Sequence, residues 1–286
     1  MKRLAFVAIA VLVVAGTVAA VRGGPAGEAS AAEIVARNVA ARGGLDAWRK
    51  VETMSWAGHI ESARAPAPNL RFELEQRRPN KTRLQIHVPG GVTSMRVFDG
   101  VHGWKVSPAG GRAEPYTPQE LMFARGGHGI DGPLIDHAAK GNSVTLESVD
   151  ELGGRKAYHL SVHLAKGGKE DVWVDTETYL DVRYDRMADG PADAPRRVSV
   201  NYGDYRTVEG LKIPFLIETG VGSGATPDRM KIERVVLNAP LDDRVFTSPA
   251  GPHPRQAGRP GIAPRVAMPT ASSSPPGSTG RGAGPP

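Results

Sequence analysis

Residues 70–88 read LRFELEQRRPNKTRLQIHV. Leu70, Phe72 and Leu74 alternate with Arg71, Glu73 and Glu75, and after Pro79-Asn80 the residues Leu84, Ile86 and Val88 alternate with Arg83, Gln85 and His87. Side chains of a strand point to opposite faces with a period of two, so each run has one dry and one wet face. The Pro-Asn pair between them supplies a turn, and the unit reads as a β-hairpin. The same period recurs on both sides of this stretch. It is found at Met54-Trp56-Ile60, Met95-Val97, Trp104-Val106, Val144-Leu146, Tyr158-Leu160-Val162-Leu164, Val172-Val174, Leu180-Val182-Tyr184, Val198-Val200-Tyr202, Leu211-Ile213-Phe215-Ile217 and Met230-Ile232. Asp99-Gly100, Gly153-Gly154, Gly167-Gly168 and Glu209-Gly210 punctuate the runs. Ten to twelve antiparallel strands follow. A sheet that wide curls, because every strand twists with the same hand.

The remaining segments are few. AAEIVARNVAARGG (31–44) places Ile34, Val35 and Val39 on one helical face, with Ser30 as cap and Gly43-Gly44 as stop, and Leu45 to Lys50 adds a turn that carries Trp48 inward. In the middle of the strand series lie Pro118–Arg125 (PQELMFAR) and Gly132–Lys140 (GPLIDHAAK), each with helical spacing and a proline near its start. These are the positions of an inserted lid. Leu121, Met122 and Phe123 cannot all face one side of a helix, so one of them is left for a groove, a partner or a lipid; Leu134 and Ile135 are the apolar residues of the second segment.

Three short segments are too little cover for so much apolar sheet. The sheet therefore either packs on itself or encloses a cavity for an acyl chain or a similar hydrophobic ligand. The residues that would line such a cup are Trp56, Phe72, Leu74, Leu84, Ile86, Met95, Val97, Trp104, Tyr158 and Leu160.

The ends differ in character from this centre. Residues 1–31 begin MKRLAFVAIAVLVVAGTVAA, with two cations, an apolar run from Leu4 to Val21 and then small residues, which is the layout of an export signal. Val18-Ala19-Ala20 and Ala29-Ser30-Ala31 both suit a signal peptidase, and an uncleaved membrane anchor held by Lys2 and Arg3 on the cytoplasmic side is the alternative. Either places residues 32–247, the expected folded domain, outside the cytoplasm. Residues 248–286 hold ten prolines and seven glycines without an acidic residue and read as a disordered tail.

Charge excludes one class of function. The chain carries a net +6, yet the six basic residues in excess all lie in the two ends, and residues 4–247 are balanced at 30 basic and 30 acidic side chains. No footprint for nucleic acid exists in the expected domain. The absence of cysteine removes thiol catalysis, thiolate metal sites and disulfides. His159 and His163 have a metal-like spacing, but on a strand they stand about 13 Å apart, and both fall in the polar phase. His128, Asp131, Asp136 and His137 form a second cluster without a nucleophile motif, and Asp171, Asp175 and Glu177 read as turn formers. No metal, no cofactor and no enzymatic activity is expected. A hydrolase working through His128, His137 and Asp131 is the enzyme alternative.

The order of these phrases resembles the bacterial outer-membrane lipoprotein-sorting proteins, the LolA-like family. The resemblance is carried by AAEIVARNVAARGGLDAWRKV (31–51), FDGVHGWKVSP (98–108) and DGPLIDHAAKGNSVTLESVDELGGRKAYHLSV (131–162). It continues through VWVDTETYLDVRYDR (172–186), NYGDYRTVEGLKIPFLIETG (201–220) and MKIERVVLNAPLDDRVFTSP (230–249). It implies a mainly β fold with few helices, an unclosed half-barrel of about eleven antiparallel strands under a helical lid. It also implies a monomeric, non-enzymatic periplasmic carrier for the acyl chains of a lipid or lipoprotein, sorted to the outer membrane through a membrane-bound donor or acceptor. No arginine is carried over as the lid-controlling residue: Arg71 and Arg83 are in the polar phase, and Arg64 and Arg78 lie at strand ends. An envelope stress sensor, using the same cup to regulate a membrane partner, is the competing function.

Overall fold

The computed structural model describes residues 29–63, 67–91, 93–107, 111–127, 129–165, 167–189, 195–222 and 226–249. The expected cleavage site at Val18-Ala19-Ala20, His128 and all of the expected tail beyond Pro249 lie outside these residues, whereas Ala29-Ser30-Ala31 lies within them. The chain begins with two helices, α1 (Ala31–Ala41) and α2 (Leu45–Arg49). The Ser30 side chain accepts from the Glu33 backbone N–H while the Glu33 carboxylate accepts from the Ser30 N–H, a reciprocal cap that fixes where α1 starts. Gly43 and Gly44, at φ 112° and 90°, end it.

Six strands follow as a meander: β1 (Thr53–Glu61), β2 (Leu70–Arg77), β3 (Lys81–His87), β4 (Ser94–Phe98), β5 (Gly103–Val106) and β6 (Ala113–Pro115). Helix α3 (Pro118–Gly126) and a run of turns over 129–141 come next. A second meander runs through β7 (Ser143–Leu152), β8 (Arg155–His163), β9 (Lys169–Asp175), β10 (Asp181–Asp189), β11 (Pro195–Val208), β12 (Leu211–Val221) and β13 (Asp228–Leu237). A 3-10 turn, Asp243–Phe246, buries Phe246.

All thirteen strands form one antiparallel sheet in the order β6-β5-β4-β3-β2-β1-β13-β12-β11-β10-β9-β8-β7. The two meanders meet at β1 and β13, and among the described residues β6 and β7 are the unpaired edges, so the sheet is unclosed. This topology dictates where the lid goes. The first meander ends at one edge and the second begins at the other, so the connection between them has to cross the sheet. Residues 116–142 are that connection, hereafter the strap.

Two differences from the sequence reading have physical causes. The described residues form thirteen strands because Ala113-Glu114-Pro115 pairs with β5 without any apolar alternation to announce it. The expected helix over Gly132–Lys140 is absent. Gly132, Asp136 and Gly141 have φ of 76°, 54° and 74°, and three left-handed residues in ten leave only successive turns. The expectation for Pro118–Arg125 is met, with Thr117 as cap and Pro118 in the first turn.

Two apolar clusters lie against the sheet. One gathers Trp48, Val51, Met54, Phe72, Ile130, Ile135, Leu211, Ile213, Phe215, Ile232 and Leu237; the other gathers Ile34, Val35, Leu134, Leu160, Val162, Val172, Val174 and Tyr184. The adjacent strap residues Leu134 and Ile135, both fully buried, belong one to each cluster. The strap thus pins both halves of the sheet through two neighbouring side chains.

Candidate ligand cavity

Between the strap and the sheet lies a cavity of about 240 Å³. Its wall on the sheet side comes from seven strands: Trp56 of β1, Leu74 and Gln76 of β2, Val172 of β9, Tyr184 of β10, Tyr202 and Tyr205 of β11, Ile213, Pro214 and Ile217 of β12, and Met230 and Ile232 of β13. Arg42 at the end of α1, Trp48 of α2, and Gly129, Ile130, Gly132 and Pro133 of the strap close the other side. Most of the lining is hydrocarbon and aromatic ring, as small-molecule sites generally are.

One end is polar. Arg42, only 6% exposed, donates through Nη1 to Asp181 Oδ2 at 3.0 Å and to the Asp131 carbonyl at 3.2 Å, and its guanidinium lies 4.7 Å from the centre of the Trp48 ring. Asn38 Nδ2 donates to Asp181 Oδ1 and to the Tyr179 carbonyl, each at 2.8 Å. The Tyr205 hydroxyl donates to the Asp181 carbonyl at 2.9 Å, and the Tyr184 hydroxyl donates to Glu170 at 2.7 Å. Burial raises the pKa of Tyr184, Tyr202 and Tyr205, helped by Glu170 at the first and Asp181 at the other two, so all three stay protonated.

The strap is held over the cavity by charge as well as by grease. Asp131, 2% exposed, pairs with Arg78 at 2.9 Å and with Lys140 at 3.0 Å. Arg78 is anchored in turn, donating Nε to the Val51 carbonyl at 2.7 Å and Nη2 to the Trp48 carbonyl at 3.0 Å. Lys140 also donates to the carbonyls of Gly132 and Ile135, at 2.7 and 2.8 Å, and its pKa is lowered by burial despite the pull of Asp131. Arg49 holds Asp136 by a two-pronged contact at 2.9 and 2.8 Å. Gln76 links the wall to the strap, accepting from the Trp56 indole at 3.0 Å and donating to the Gly129 carbonyl at 3.2 Å.

Of the residues expected to line a cup, Trp56 and Leu74 face this cavity. Phe72 is closed inside the first cluster with Leu84 and Ile86 packed against it, and Leu160 is closed inside the second with Tyr158 at its border. Tyr158 stacks on Tyr179, ring centres 6.0 Å apart. Met95, Val97 and Trp104 lie on β4 and β5, away from the lining, with Val97 buried and the other two half-buried. In the lid, Met122 is the exposed member of its trio at 55%, while Leu121 and Phe123 are half-buried, Phe123 beneath the Arg186 guanidinium at 5.5 Å.

The sequence reading passed over Arg42, Asp181 and the tyrosines as a group. Tyr184 and Tyr202 carried a signal, since both stand in the dry phase of their strands. Asp181 carried a misleading one. The β9–β10 register shifts between Asp181 and Arg183, and that one-residue irregularity turns Asp181 inward where strict alternation expected Leu180 and Val182 to face the core. Arg42, next to the Gly43-Gly44 stop, had none.

The histidine readings also resolve. His163 is exposed, but His159 is half-buried instead of solvated, stacked on Trp173 at 4.3 Å between ring centres and 3.1 Å from Asp171. Asp131 serves the strap's ion pairs. No group of three metal-ligating side chains exists among the described residues, and no described helix is long and apolar enough to cross a membrane. Asp175 is a turn former, accepting from the N–H groups of Glu177 and Thr178 at 3.2 and 2.7 Å.

An open antiparallel sheet with a strap crossing over an apolar cavity defines a cup-shaped class of folds. The chain has this fold in common with a LolA superfamily protein from Nitrosomonas europaea, at 12% identity and a TM-score of 0.50, over 77% of this chain and 99% of that one. An outer membrane lipoprotein-sorting protein domain from Vibrio parahaemolyticus matches at 12% identity and TM-score 0.51 over 75% and 94% of the two chains. A DUF1329 family protein from Desulfovibrio piger matches at 11% identity and TM-score 0.50 over 76% and 97%. No protein-family model and no curated protein matches the sequence. The similarity to the lipoprotein-sorting proteins read from the sequence therefore holds at the level of a LolA-like fold.

Proposed function

We propose that this chain is an exported, non-enzymatic carrier that shelters the acyl chains of a lipid or lipoprotein in the strapped cavity while they cross the periplasm. The observation that carries this reading is a cavity whose apolar wall is covered by a strap that is not part of the sheet. At about 240 Å³ the cavity is smaller than the ~300–1,000 Å³ usual for ligand sites. It takes part of a long chain as it stands, and the whole of one only when the strap moves.

Magnitudes allow that movement. Burying each methylene gains about 0.8 kcal/mol, so a chain of ~14 carbons gains about 11 kcal/mol before entropy costs. Withdrawing Leu134 and Ile135 from their clusters costs about 1.5–3 kcal/mol each. An acyl chain and the strap compete for the same apolar surface, and the strap's return assists release.

The test is recovery of the exported protein followed by native mass spectrometry for bound lipid, together with uptake of an acyl chain carrying a dansyl reporter. Bound acyl lipid or saturable uptake supports the carrier. Protein that is always empty and takes up no reporter overturns it.

A further inference from the structure

We infer that β7, the long edge of the sheet, is a docking strand for an extended, positively charged segment of a partner protein, which joins the sheet as a further strand. The inference is independent of what the cavity holds.

The two edges are built differently. An edge strand presents unpaired N–H and C=O groups, and proteins blunt such edges with short strands, prolines, lysines or bulges. β6 is three residues long and ends in Pro115, which has no N–H to offer. β7 is ten residues long, SVTLESVDEL, with neither a proline nor a cation. Its one defence is an irregularity at Glu147, where the register against β8 shifts between Leu146 and Ser148. From Ser148 to Leu152 the pairing is regular again, running from His159 back to Arg155 on β8. The other side of β7 meets no strand among the described residues.

This regular half offers an anchor. Val149 is 53% exposed and stands opposite Tyr158. Tyr158 stacks on Tyr179, and Arg37 of α1 lies 5.3 Å from the Tyr179 ring centre and donates to its hydroxyl at 2.7 Å. An incoming strand finds an apolar and aromatic shelf beside open backbone. In strand addition the backbone gives affinity and such side-chain contacts give selectivity.

Charge names the occupant. Every charged residue of β7 is acidic: Glu147, Asp150 and Glu151. Asp150 is engaged by the Trp173 indole and the Ser148 hydroxyl, each at 2.7 Å, and lies 3.6 Å from His159. Glu147 and Glu151 are exposed and make no ion pair among the described residues, although Lys156 is the register partner of Glu151. Glu151 is two residues from Val149 and so shares its face. A partner strand with a cation two places from an apolar side chain matches both positions. A second copy would set β7 against itself, adding three carboxylates and no cation.

The experiment titrates the full chain with a dye-labelled peptide in which lysine and valine alternate on one face and threonine fills the other, in a palindromic order that fits either strand direction. Anisotropy reads the affinity and amide hydrogen exchange reads the place. One control peptide has glutamate for lysine; another has proline for threonine. The lysine peptide is expected to bind saturably, about tenfold more tightly than either control, and to slow exchange over 143–152 but not over 113–115. Glu151→Lys, a surface change, is expected to weaken the lysine peptide about fivefold and to strengthen the glutamate peptide by as much. A loosened fold would weaken both, so the opposite signs report the edge itself. Absence of binding, equal binding of either control, slowed exchange outside β7, or Glu151→Lys without the reversal overturns the inference. A dimer in sedimentation with β7 protected and no peptide present assigns the edge to a second copy and overturns it as well. None of these outcomes touches the carrier reading.

Discussion

Arg78, one residue past the end of β2, and Asp131, in the strap, stand 2.9 Å apart, the aspartate side chain 3% exposed and the arginine 25%. This contact ties the strap to the sheet beside the cavity. Because Lys140 shares the same carboxylate, one substitution releases two cations at once.

Asp131→Asn is therefore expected to lower stability by about 2–4 kcal/mol, since the loss of one partner strands buried charge. Urea denaturation measures the loss. Hydrogen exchange over 129–141 should quicken more than in β12 or β13, and entry of an apolar reporter should be faster. Uniform quickening across the sheet would mean that the pair serves the whole fold and not the strap.

Helix α3 has an acid-sensitive tether. Glu120 accepts from the Thr117 N–H at 2.9 Å, Arg96 at 2.9 Å and Lys105 at 3.0 Å. Burial alone would raise its pKa, but the Thr117 backbone bond, Lys105 and Arg96 overcome this and bring it from 4.5 to about 2. A depressed carboxylate stabilises the fold fully above its unfolded pKa and loses that contribution as pH falls through the folded one. The melting temperature should thus drop between about pH 5 and pH 2 by more in the native chain than in Glu120→Gln. Parallel curves for the two would refute the tether.

The seam between the two meanders depends on a missing side chain. A Cβ at Gly58 would lie 2.1 Å from the Lys231 carbonyl oxygen, at the register shift where β1 meets β13. The obstacle is backbone, which cannot swing aside. Gly58→Ala is expected to cost about 1–3 kcal/mol or more in chemical denaturation. Gly220→Ala is the control, since a Cβ there meets nothing within 4 Å.

The α1 cap bears on export. Ser30→Ala should cost about 1 kcal/mol by removing the Ser30–Glu33 reciprocal cap. A signal peptidase cut after Ala31 would remove the same cap, whereas a cut after Ala20 keeps it. Intact mass of the exported protein is expected to show Ser30 retained; a chain starting at residue 32 would contradict this.

Alternation at Leu70–Leu74 and Leu84–Val88 was enough to read the wide antiparallel sheet, because a strand's two faces are written directly into a period of two. Thr117-Pro118 and Ser30 with Glu33 marked their helices for an equally local reason, since a cap is a contact three residues long. The site was less legible. Trp56 and Leu74 turned out to face the cavity, while Phe72 and Leu160, with the same pattern, are sealed in packed clusters. Periodicity says that a residue points inward but not what stands opposite it.

The chain's sequence by itself determined the strands, the cup-forming curl and the place of the crossing connection, all consequences of local pattern and order along the chain. Only the tertiary structure decided that the strap is held by Arg78 and Lys140 on Asp131, and that Arg42, Asp181 and Tyr202 converge at one end of the cavity. Those partners are separated by up to 160 residues, as Arg42 and Tyr202 are. Charge pairing at that range carries no period, and the irregularity that turns Asp181 inward exists only once β9 and β10 have set their register.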